Sequence, residues 1–124
     1  MKGKKSKKLT PRQFALTIAE LVYDKKGEDI VILDVRKVST ICDYFVLASC
    51  ESDVQIETIS EHIIYTMKKK GYRVVGTEGL EYKRWVVLDY GFVIVHLMLK
   101  ELRDFYSLEK IWSEAKKINY KPKK

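Results

Sequence analysis

The stretch "KRWVVLDYGFVIVHLM", residues 83–98, constrains the fold more than any other part of the chain. Its aliphatic and β-branched residues fall in two runs around Tyr90-Gly91, the pattern of two antiparallel strands joined by a tight turn. With Tyr90-Gly91 as a two-residue turn, Asp89 lies opposite Phe92, Val87 opposite Ile94, and Trp85 opposite His96. Side chains alternate along a strand, so these residues share one face with Met98. The other face carries Val86, Leu88, Val93, Val95 and Leu97, and is the natural core side. The first face is apolar in area yet holds an Asp and a His, which need water or a partner. It is either a half-exposed patch suited to binding a protein or a face that another helix covers, with its polar groups at the rim. One extra residue in the turn would invert the face assignment of one strand.

The remaining elements frame this hairpin. "LTPRQFALTIAELVYDKK" opens a helix with Thr10 as N-cap, Pro11 at the first position and Gln13 completing a capping box. Phe14, Ile18, Leu21 and Val22 recur on its buried side, and Gly27 ends it. Residues 29–35 and 43–49 read as strands. "ESDVQIETISEHIIYTMKKKG" is a second helix, with Ser52 as N-cap, a stripe of Ile56, Ile59, Ile63 and Met67, and a stop at Gly71. Residues 72–76 read as a short strand and 107–118 as a last helix, with Leu108, Ile111, Trp112 and Ala115 inward. The order predicts a single α/β domain, with a mixed five-stranded sheet and flanking helices.

Charge divides the chain. Residues 1–8 and residues 116–124 each hold five Lys and no acid, so the net charge of +7 leaves the stretch between them at −3. The expected organisation is a basic, disordered tail over 1–9, a folded body over 10–115 and a second basic tail over 116–124. The two cysteines, Cys42 and Cys50, form no C-x-x-C pair, which argues against a zinc site or disulfide framework and for a reducing, cytoplasmic setting. The longest apolar run, 92–99, is too short to span a bilayer, and no apolar segment follows the basic N-terminus to make a secretory signal.

No catalytic constellation emerges. His62 and His96 lie on separate elements without ligands at metal-binding spacing. Asp34, Asp43, Asp53 and Asp89 are scattered, with no D-x-D to hold Mg²⁺, and the chain has no Walker loop and no G-x-G-x-x-G. No nucleophile, base and oxyanion donors assemble. The expectation is a protein that is not an enzyme and uses no metal or cofactor.

Four stretches together carry a resemblance: "DYFVLAS-x-x-S-x-x-Q" (43–55), "EG" (78–79), "WVVLDYG-x-VIVH" (85–96) and "ELR-x-FY-x-LE-x-IW" (101–112). In this combination the chain resembles the ribosomal silencing factor family, also called Iojap-like, from about residue 12 to 115. The resemblance implies a nucleotidyltransferase-like fold without the catalytic carboxylates. It also implies binding to the large ribosomal subunit through the ribosomal protein designated L-fourteen, and a steric block on joining of the small subunit that represses translation. A role in large-subunit maturation belongs to the same family, and an enzyme of nucleotidyltransferase type or a general RNA binder are the competing readings.

On this resemblance the docking set is Trp85, Val87, Asp89, Tyr90, Phe92, Ile94, His96 and Met98 of the hairpin, with Glu78 and Arg103. The Lys tails reach ribosomal RNA, and the apolar face allows a homodimer off the ribosome. Phe105 and Tyr106 match the family motif and read as packing residues. The chain departs from the family pattern at Cys50, where Gly is usual, at Val54, where Arg is usual, and at Phe92, where most members carry Asp. Without that acid the docking tip is less negative.

Overall fold

A computed structural model describes residues 8–106, 110, 113–118 and 120–122. Helix α1 (Pro11–Asp24) starts at the expected capping box: Thr10 Oγ1 accepts from the Gln13 N–H at 3.1 Å, and Gln13 Oε1 accepts from the Thr10 N–H at 2.9 Å. Strands β1 (Glu28–Asp34) and β2 (Tyr44–Cys50) follow, then α2 (Asp53–Lys69), whose Ser52 Oγ accepts from the Gln55 N–H. Strands β3 (Gly76–Glu78), β4 (Trp85–Asp89) and β5 (Val93–Leu99) lead into α3 (Lys100–Tyr106), and β6 (Lys116–Ile118) closes the order.

The strands form one mixed sheet in the order β3-β4-β5-β2-β1-β6, parallel between β2 and β5 and antiparallel elsewhere. The α/β class is as expected, with six strands in place of five. Helices α1 and α2 cover one face. Phe14, Ile18, Val22, Ile56, Ile59, Ile63 and Met67 pack there against Val46, Val86, Leu88, Val95 and Leu97, all fully buried. Burial of side chains of this kind contributes roughly 1.5–3 kcal/mol each, so this layer is the main core.

Three expectations are corrected. Residues 116–118 are a strand, although the helical pattern and the tail boundary at 115/116 pointed elsewhere. Ile118 pairs with Ile32 and is buried on the helix side, while Lys116 and Lys117 stay exposed. Two lysines on a three-residue edge strand give a weak sequence signal and also blunt the edge. Of the helix expected over 107–118, residues 107–109, 111 and 112 lie outside the described residues, whereas Ala115 does pack inward, on Leu33 and its neighbours. The third strand begins at Gly76 and not at Tyr72, because Tyr72 is drawn into closing α2. Gly71 (φ +98°) donates its N–H to the Lys68 carbonyl, and Tyr72 donates to the Met67 carbonyl, the paired bonds of a Schellman stop.

Candidate docking surface

The turn of the hairpin is centred on Gly91-Phe92 and not on Tyr90-Gly91. The Tyr90 N–H donates to the Val93 carbonyl at 2.9 Å, and Gly91 (φ +91°) takes the first central position. Asp89 consequently pairs with Ile94, Val87 with His96 and Trp85 with Met98. The register has moved by two residues, which preserves the parity of side chains. Trp85, Val87, Asp89, Ile94, His96 and Met98 therefore share the face opposite α1 and α2, as expected. Tyr90 and Phe92 do not. Both turn to the helix side, with ring centroids 5.0 and 4.8 Å from that of Phe14.

Three rows run across this second face. Trp85, Met98 and Ser49 form one, and Glu78, Val87, His96 and Leu47 the next. The third holds Gly76, Asp89, Ile94 and Phe45. The rows differ in cover from end to end. Over β1 and β2 the face is closed: Leu33, Phe45 and Leu47 are buried, and Ala115 packs on them. Helix α3 is fastened there by Arg103, whose guanidinium donates to the Asp29 carbonyl and, at 3.1 Å, to Ser49 Oγ. Over β3, β4 and β5, Trp85, Val87, Asp89, Ile94 and His96 are half-buried and Glu78 is exposed. The face is thus covered over one half and half-exposed over the other.

Burial sorts the expected docking residues. Tyr90, Met98 and Arg103 are 5%, 0% and 6% exposed, so they brace the surface from within and do not form it. Phe92 belongs with them. Its ring packs edge-on against Phe14 on the helix side, at a centroid distance of 4.8 Å. Cys50 is buried at the end of β2, and Val54 is exposed on α2.

Two polar groups on the open half are held in place. The Trp85 indole N–H donates to His96 Nδ1 at 3.1 Å, and the Phe45 ring meets the imidazole edge-on at 5.4 Å. Burial pushes the His96 pKa down to about 4, so at neutral pH the ring is uncharged, with Nδ1 free to accept and the proton on Nε2. Asp89 Oδ1 accepts from the Gly91 N–H at 2.7 Å and pins the turn through its own side chain. The site therefore presents an indole, aliphatic side chains and two carboxylates on rigid strands, a composition suited to recognising a protein.

Both thiols are protonated at neutral pH. Burial raises the pKa of Cys42 to about 11 and that of Cys50 to about 12. Among the described residues no three His, Cys, Asp or Glu side chains gather to hold a metal ion, and no helix is long and apolar enough to cross a membrane. Sequence reasoning missed Phe45 and Leu47 as the inner continuation of the docking face. Their strand reads as uniformly apolar, and only the β2–β5 register assigns them to this side.

Comparisons with known proteins bear on the family and the fold. Residues 8–124 match the family described as "Ribosomal silencing factor during starvation". The chain is 39% identical over 92 residues to a ribosomal silencing factor of Bacillus subtilis, covering 74% of this chain and 78% of that protein. It is 29% identical over 99 residues to the murine "Mitochondrial assembly of ribosomal large subunit protein 1", covering 77% of this chain and 43% of that protein. A crystal structure of a protein from Chromobacterium violaceum superposes with a TM-score of 0.82 at 30% identity, covering 90% of this chain and 92% of the other. The match over nearly all of the folded body, together with the shared fold, places this chain in the ribosomal silencing factor family.

Proposed function

We propose that the chain binds the large ribosomal subunit through the open half of its second sheet face and blocks joining of the small subunit by occupying space. The partner on the subunit is the ribosomal protein L-fourteen, and the outcome is lowered translation. The observation that carries this reading is the surface itself: Trp85 fixed by His96 among Val87 and Ile94, flanked by Glu78 and Asp89. An aromatic anchor on a rigid strand is the usual centre of a protein interface, and flanking carboxylates favour a basic partner. The action is steric, with no catalytic step, and needs no metal or cofactor. In the absence of the ribosome the same apolar face is available to a second copy.

Sedimentation with purified large subunits, followed by addition of small subunits, tests the proposal. Co-migration with the large subunit and fewer whole ribosomes is the expected result. Co-migration with undiminished joining would instead support an assembly role, the reading that the name of the murine relative favours. Absence of co-migration would reject both.

A further inference from the structure

The acidic balance of the body conceals a strongly basic pole that only the tertiary structure assembles. The Schellman stop at Gly71 folds Tyr72 back onto α1, where its ring meets Phe14 edge-on at 5.0 Å and its hydroxyl accepts from the Leu9 N–H at 2.7 Å. The start of α1 and the end of α2 are thereby joined. Lys8, Arg12, Lys68, Lys69, Lys70 and Arg73 stand together at this pole, all exposed. No Asp or Glu occurs in residues 8–19 or 62–77 to offset them. In the adjoining groove, lined by Lys70 and Lys121 among others, the acid among the described lining residues is Glu20, and it accepts from the Tyr120 hydroxyl at 2.9 Å. Beside the pole Tyr65 is 63% exposed, with Lys69 Nζ lying 5.3 Å from the centre of its ring.

Lysines at the end of a helix oppose its dipole, but that role draws on charges within the last turn and does not call for Lys8, Arg12 and Arg73 as well. We infer that this pole, formed by the N-terminus of α1 and the C-terminus of α2, is a second interaction surface that binds the phosphate backbone of RNA, with Tyr65 as a shelf for a base. Unpaired cations supply affinity for phosphate irrespective of sequence, and an exposed aromatic ring beside them stacks on any base. RNA fits better than an anionic membrane. A helix that lies in a membrane must bury an apolar face, and the apolar stripe of α2 (Ile56, Ile59, Ile63, Met67) is already spent in the core. Phe14 touches Tyr72, Tyr90 and Phe92 alike, so the pole sits at the hairpin-turn end of the sheet. A protein seated on the open sheet face and an RNA strand beside it can be held at once.

The test measures binding of the full chain to a labelled 20-nucleotide oligouridylate over a range of salt. The quadruple variant Lys68→Gln/Lys69→Gln/Lys70→Gln/Arg73→Gln is compared with Lys37→Gln/Lys100→Gln/Lys110→Gln/Lys117→Gln, which removes the same charge elsewhere. Loss of four phosphate contacts should lower affinity at least about tenfold and reduce the slope of log K against log salt by about 3, against less than about threefold for the control. Tyr65→Ala should weaken binding with the slope unchanged. Equal losses in the two quadruple variants would overturn the inference. So would binding of the wild type to phosphatidylserine vesicles and not to RNA, or complete loss of RNA binding on deletion of residues 1–7 alone. Because the probe is free RNA, failure of the sheet-face proposal in sedimentation leaves this result standing, and the reverse also holds.

Discussion

Val87 and Leu88 are neighbours in sequence and opposites in environment. Leu88 points at the helices and is fully buried, whereas Val87 lies half-exposed between Glu78 and His96. The same contrast repeats along the hairpin, with Val86, Val95 and Leu97 on one side and Trp85, Ile94 and His96 on the other. One pair of strands thus carries stability on its inner face and the proposed docking surface on its outer face. The division is sharp because the pleat admits no intermediate orientation.

Three measurements break or sharpen that contrast. The largest effect belongs to the inner face. Leu88→Ala should lower unfolding free energy by about 3 kcal/mol in urea titrations, the cost of a cavity in a packed core, with contacts on the ribosome untouched. A loss below about 1 kcal/mol would show that the helix side is not the core. Trp85→Ala should do the reverse: about 2 kcal/mol of binding to large subunits lost, with the unfolding midpoint little changed. Unfolding of this variant would move Trp85 to the structural side of the ledger.

The third effect is a dependence on acidity. His96 is held neutral with a pKa of about 4, below its ordinary 6.5, so the unfolded chain takes up the proton first as pH falls. Its contribution to stability is full above 6.5, declines through the interval and levels off below about 4. Between pH 7 and pH 5 the loss should be about 1–2 kcal/mol. The difference between wild type and His96→Gln in the same titration isolates it, and a difference independent of pH would show that the imidazole is not buried in the folded state. In the folded chain the indole is released from Nδ1 only as pH falls through about 4, so a change in Trp85 emission should centre there.

Much of this division was legible in the sequence. Face assignment needs only the two-residue period, and it held even though the turn centre moved by one residue, because the pairing register then moves by two. The capping box of α1 and the stripe of α2 were legible because local spacing and local hydrogen bonds specify them. Three features depended on distant partners. Strand β6 forms only because β1 offers an edge to Ile118. Tyr90 and Met98 are buried, and Phe92 is drawn onto Phe14, by neighbours that their own strands do not reveal. The basic pole joins residues about 60 apart in sequence through the contact of Tyr72 with Leu9 and Phe14.

Chain connectivity gives the sheet an order in time as well as in space. Strands β3, β4 and β5 pair across short loops, so the recognition face can condense from local contacts at little entropic cost. Strand β6 must find β1 across more than 80 residues for three pairs of partners. That edge needs the longest closure of the sheet for three pairs, which weighs against its forming early. The open half of the second face is therefore separated from fraying at the β6 edge, since β2 and β1 stand between them.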